Sequence, residues 1–119
     1  MPDEVECWIR DLRHWNGRKV RAAAEGLARS ADRRALDGLI EAVQSPYLSK
    51  HAWEPAAEAV ARSGDTRAVR ALDVMLRGSL AGEYTLVERA LAAVRALSTV
   101  DDPDAISVLA GALALGNEP

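Results

Sequence analysis

The sequence predicts an all-α fold organised as an α-solenoid, and three observations carry that expectation. Phenylalanine is absent and aromatic residues make up 4% of the 119-residue chain, a balance that favours helices over sheets. Apolar positions fall at helical spacing, as in Leu36, Leu39, Ile40 and Val43, or Val69, Leu72 and Leu76. Finally, a register recurs about every 33 residues: Val20 to Asp32 (VRAAAEGLARSAD) is echoed by Trp53 to Asp65 (WEPAAEAVARSGD), and more loosely by Val87 to Asp102. A period of that length marks stacked helix pairs rather than a closed globule.

Turn and cap residues divide the chain into seven helical segments at 3–14, 18–30, 33–44, 51–63, 66–77, 84–98 and 103–115. Val5, Trp8, Ile9 and Leu12 of the first match Leu36, Leu39, Ile40 and Val43 of the third. The first segment is therefore the second member of a pair, a lone B-type helix without its A partner. Asn16-Gly17 separates it from the complete pairs 18–44, 51–77 and 84–115, all within one domain spanning 1–119. Ser45-Pro46 ends the first pair, and Pro55 should open the next helix or kink it, leaving His51 and Trp53 in a distorted first turn. Arg77-Gly78 through Gly82 ends the second pair. In the third, three additional residues fall in Leu97 to Pro103, so its A helix is expected to run longer, and Asp102-Pro103 opens the last helix as N-cap and first position.

The run from Val20 to Val43, and the turn Ser63-Gly64-Asp65 with the helix after it, resemble the short bacterial HEAT-like repeat first noted in phycobilisome lyases. Its pattern reads V-R-x-x-A-x-x-A-L-G, then G-D-x-R-A-V-x-x-L. The resemblance covers about 100 residues and implies a right-handed superhelical stack whose B helices line the concave face. It also implies an interaction scaffold. Some relatives attach bilins, some hydroxylate a modified lysine using iron, and some excise alkylated bases, but no such activity follows from the fold.

Composition and motifs narrow the function classes. The net charge of -3 argues against nonspecific binding to phosphate backbones. The first residues are acidic where a secretory signal is basic, and the single cysteine, Cys7, cannot form an internal disulfide, so a cytoplasmic protein is expected. The stretch from Ala105 to Leu115 is too short to span a bilayer. His14 and His51 are not followed by glutamate, as the iron-dependent relatives require, and neither zinc spacing nor a phosphate loop occurs. No catalytic residue, metal or cofactor is assigned. Cys7 reads as core packing, Asp101, Asp102 and Asp104 as helix capping rather than calcium ligands, and Trp8 and Trp53 as core. Trp15 matches no core position and reads either as a cap on the exposed end of the stack or as a partner anchor, and Tyr47 and Tyr84, in or next to linkers, leave the same two readings open.

Two surfaces remain as candidates. Opposite the core stripe of each B helix, geometry picks out Asp3, Glu6, Arg10 and Arg13, then Arg34, Asp37, Glu41 and Gln44, then Arg67, Arg70, Val74 and Arg77, and lastly Asp104, Ser107, Gly111 and Ala114. Read across the helices, Asp3 faces Arg34, Arg10 faces Glu41, Asp37 faces Arg70 and Arg67 faces Asp104, a solvated ladder. If this face grips an acidic segment of another protein, Arg70 and Arg77 carry it, with Arg67 and Arg34 beside them. The second surface is an apolar C-terminal edge of Val108, Leu113 and Leu115, suited to a partner protein or a second copy. The expected function is a non-catalytic protein-binding module. The alternative is an enzyme or enzyme subunit of the bilin-lyase type, with a tetrapyrrole carboxylate held on arginine.

Overall fold

The computed structural model describes residues 3–30, 32–81 and 86–116, with side chains as far as residue 111. Seven helices follow in order: α1 (Glu4–Asp11), α2 (Gly17–Arg29), α3 (Arg33–Gln44), α4 (Lys50–Arg62), α5 (Ala68–Leu80), α6 (Val87–Ser98) and α7 (Pro103–Gly116). Their starts follow the expected capping chemistry. The side chains of Asp3, Asn16, Asp32 and Ser49 each accept a backbone N–H from the first turn of α1, α2, α3 and α4, satisfying donors that have no partner inside the helix.

The helices form two layers. α2, α4 and α6 pack side by side in one, and α1, α3, α5 and α7 in the other. α3 and α5 each contact their own A helix and the next one along, α1 contacts α2 and α7 contacts α6, the arrangement of a HEAT-like stack. The molecule measures 53 × 30 × 15 Å along its principal axes, an elongated slab. Between the layers, Val20, Leu27, Leu39, Val43, Val60, Leu72, Met75, Leu76 and Leu97 are fully buried, each large apolar side chain contributing roughly 1.5–3 kcal/mol. Within the A layer the buried residues of α4 are small, namely Ala52, Ala56, Ala57, Val60 and Ala61, which lets α2 and α6 approach it closely.

Glycines dock the lone helix. A Cβ on Gly26 of α2 would come within 2.5 Å of the Trp8 ring, and one on Gly38 of α3 within 3.0 Å of Ile9. Trp8 and Ile9 of α1 thus lie against two helices where these have no side chain to obstruct them. α1 ends at Asp11, three residues before the expected Arg13-His14 end, because the Arg13 and His14 amides bond back only three residues. His14 Nδ1 then accepts the Asn16 N–H at 2.9 Å, turning the chain into α2.

Three expectations need correction. Pro55 lies well inside α4 rather than at its start. It deprives only the His51 carbonyl of its intrahelical donor, while the Trp53 indole N–H donates to the Leu48 carbonyl at 2.9 Å and ties down the first turn. The third unit's additional length does not lengthen its A helix, since α6 has 12 residues against 13 in α4. Instead the added length precedes α6: five residues (63–67) separate α4 from α5 against three (30–32) between α2 and α3. α5 runs past Gly78 to Leu80, with the buried Ser79 hydroxyl donating to the Met75 carbonyl, and is one residue longer than α3, and the linker before α6 is one residue longer than the one before α4. α2, α4 and α6 consequently end at Arg29, Arg62 and Ser98, so the spacing grows from 33 to 36 residues. Val87 is therefore out of register with Trp53 and Val20 and is exposed, not core.

Candidate interaction face

The B-layer surface is organised by a motif used twice. Asp32 caps α3 by accepting the Arg34 N–H at 2.8 Å, and the Arg34 side chain folds back onto the same carboxylate with contacts of 3.2 Å from Nε and 2.7 Å from Nη2. From there Nη2 reaches Asp3 of the preceding B helix at 2.6 Å and Nη1 reaches Glu6 at 3.5 Å. Asp65 and Arg67 repeat the arrangement: Asp65 accepts the Arg67 N–H at 2.8 Å and its guanidinium at 3.0 and 2.9 Å, and Arg67 Nη2 also reaches Asp37 at 2.8 Å. An arginine two residues after the aspartate that opens the turn, the N-cap itself in α3 and two residues before the N-cap in α5, can grip both that aspartate and the neighbouring helix. Planar, bidentate pairing of this kind is the strong form of the interaction.

The electrostatics follow. The Arg34 guanidinium, then its backbone N–H, hold the Asp32 carboxyl below its ordinary range. Asp3 is lowered first by the Glu6 backbone N–H and then by Arg34. Asp65, gripped by the Arg67 side chain and backbone, is pushed down to about 2. Both arginines are held more firmly protonated by their carboxylates, Arg34 by Asp32 and Asp3, and Arg67 by Asp65 and Asp37.

The structure thus divides the four predicted arginines. Arg34 and Arg67 are saturated by carboxylates. Among the described residues the exposed Arg70 makes no ion pair, and among them Arg77 bonds only Asp73 of its own helix, Nε to Oδ1 at 2.7 Å. Arg70, Val74 and Arg77 form one outward stripe on α5, and Gly111 of α7 leaves room beside the Arg77 guanidinium. The charge ladder is correct only for Asp3 with Arg34. Asp37 meets Arg67 rather than Arg70, Arg67 does not reach Asp104, and Arg10 approaches Asp11 at 4.0 Å instead of Glu41. The cause is the offset between B helices, in which a carboxylate meets the capping arginine of the next helix instead of the residue one full repeat along.

At the C-terminal edge Val108 packs half-buried against the core, and among the described side chains of α7 the exposed large apolar one is Ile106, at 71%. Leu113 and Leu115 lie outside the residues whose side chains are described, and Tyr84 outside the described residues. Cys7 is half-buried and Asp102 caps α7 by accepting the Asp104 N–H at 2.9 Å. A cleft of about 520 Å³ between α1, α3 and the loop after α3 has Ile9, Leu12 and Leu48 in its walls, with Arg13, Glu41 and the exposed Tyr47 around them. A larger one of about 1110 Å³ lies in the A layer between α2 and α4, lined by charges of both signs. Among the described residues no group of three or more His, Cys, Asp or Glu is placed to hold a metal ion, and no helix is long and apolar enough to cross a membrane.

Sequence reasoning missed one residue that the structure makes prominent. Arg89 of α6 is buried and donates through Nη2 to the carbonyls of Val43 at 3.2 Å and Ser45 at 2.8 Å, at the C-terminal end of α3. A cation there complements the helix dipole. Burial lowers its pKa, and Nε has no partner among the described residues. The signal was an arginine on the same helical face as Ala93, Ala96 and Leu97, where only apolar residues are expected.

Two-layer pairing, aspartate caps and the doubled Asp-Arg clasp all point to one architecture. The family described as PBS lyase HEAT-like repeat matches residues 20–45, which contain α2, α3 and their turn. Residues 20–45 match a HEAT-like repeat, and the seven helices stack as such repeats do. No curated protein and no solved structure matches it. The matched unit is the most regular of this HEAT-like stack, with its clasp intact at both Asp32 and Arg34. In the third unit Asp104 stands where the clasp arginine would be, so that unit has lost it.

Proposed function

We propose that this HEAT-like stack is a non-catalytic protein-binding module whose B face holds an acidic segment of another protein. The observation that carries the reading is Arg70, exposed and in no ion pair among the described residues, set four residues from the partly exposed Val74 and seven from Arg77. An arginine already ringed by carboxylates, as Arg34 and Arg67 are, has little capacity left for a partner. Arg70 offers its full fork of donors beside an apolar contact, which suits a peptide alternating acidic and aliphatic residues. A fluorescent peptide of alternating Glu and Leu is the probe. Arg70→Glu is expected to weaken its binding about tenfold, the equivalent of 1.4 kcal/mol, while Arg34→Gln changes it less than twofold. Binding should also weaken with added salt. Equal effects of the two substitutions would overturn the reading, and so would a bilin retained through gel filtration with a shifted absorbance, which instead favours the lyase-type alternative.

A further inference from the structure

The outward face of α6 differs from those of the other two A helices. The exposed residues of α4 are Lys50, His51, Glu54, Glu58 and Arg62, and those of α2 are Arg18, Lys19, Arg21 and Arg29 with two alanines. On α6 the same kind of surface carries Val87, 59% exposed, and Leu91, 45% exposed. Leu91 is flanked by Glu88 and Arg95, both exposed and neither in an ion pair among the described residues. At 100° per residue, Glu88 and Arg95 lie about 60° and 40° round from Leu91, on the same side of it, with Val87 on the other.

This pattern is complementary to itself. A two-fold axis perpendicular to two antiparallel helices keeps that flank on the same side in both, so a carboxylate three residues before the centre meets a guanidinium four residues after it. A parallel pair would put the two flanks on opposite sides. We propose that two copies of this chain associate through α6, antiparallel about a two-fold axis between Leu91 and Ala92, with Glu88 of each copy against Arg95 of the other. Such an isologous contact closes on itself and forms a dimer, not a fibre. It lies on the A layer, away from Arg70, so it stands independently of the acidic-segment reading. A single helix pair buries less than the usual 800 Å² or so per partner, which makes the dimer weak and concentration-dependent.

Sedimentation equilibrium from about 10 µM to about 1 mM, a range chosen for affinities of about 4–7 kcal/mol, tests the assignment. The wild-type mass should climb towards twice that of one chain. Glu88→Lys alone and Arg95→Glu alone should each raise the dissociation constant about tenfold, because each makes both cross-axis pairs repulsive. Mixed in equal amounts, the two variants should recover association to within about threefold of wild type. In the mixed dimer the introduced lysine of one copy meets the introduced glutamate of the other, and the second cross-axis pair is the native Arg95 with Glu88. Both positions are exposed, so unchanged circular dichroism should accompany every measurement. A constant monomer mass overturns the proposal, as does a dimer indifferent to the charge reversals or a mixture no better than its components.

Discussion

Substituting Gly26 by alanine in the middle of α2 opposes two effects of known sign. By helix propensity alone the change stabilises by about 0.8–1 kcal/mol. The Cβ it adds would stand 2.5 Å from one Trp8 ring carbon and 2.8 Å from two others, far inside contact distance, so the ring or the whole of α1 must shift. Overpacking of this kind costs about 1–3 kcal/mol. The net is expected to be a loss of up to about 2 kcal/mol, taking the difference of those two ranges. Two controls isolate the cause. Gly78→Ala, also inside a helix and with nothing within 4 Å of its Cβ, should give the unopposed gain of about 0.8–1 kcal/mol. In a Trp8→Ala background, Gly26→Ala should change sign and stabilise by the same amount, a coupling of about 1–3 kcal/mol in the double-mutant cycle. Urea unfolding followed by circular dichroism, with slopes compared to confirm an unchanged folded state, supplies the four free energies. If Gly26→Ala stabilises as much as Gly78→Ala, the close docking of α1 on α2 is wrong.

Two further outcomes are expected. Arg89→Met should destabilise by about 1–3 kcal/mol, because it leaves the buried Val43 carbonyl without its arginine donor and the Ser45 carbonyl with the Leu48 N–H alone; urea midpoints measure it, and a neutral result would mean those carbonyls find water. Asp65 has a folded pKa of about 2, against an ordinary 3.8. Its contribution to stability is therefore complete above about pH 4 and is lost as pH falls through 2. Thermal melts from pH 5 to pH 2 should show Asp65→Asn less acid-sensitive than wild type, and equal slopes would remove Asp65 from the cause.

Much of the fold was legible because the determinants are local. The aspartate caps, the apolar spacing and the match between Val5, Trp8, Ile9, Leu12 and the α3 core positions each read directly from neighbouring residues. α3 begins and ends where the sequence placed it, at Arg33 and Gln44. What was not legible depends on how helices cross. The partner of Arg67 is Asp37, an outcome of the offset between adjacent B helices that repeat alignment alone cannot supply. The extension of α5 was hidden by Gly78, an apparent stop that buried Ser79 overrides. Likewise, the split between occupied and unpaired arginines depends on a turn aspartate two residues earlier lying close enough to hold the guanidinium, which spacing indicates for Arg34 and Arg67 only once the turn geometry is known.

Arg89 gives the stack a connection that its architecture otherwise lacks. α3 and α6 belong to the first and third pairs and do not pack on one another, yet one side chain on α6 finishes the end of α3. In a linear array, units communicate only with those beside them, and terminal units fray first. Here detaching the last pair also removes a donor from the end of α3, so unfolding that starts at α6 is felt two units away in the first pair.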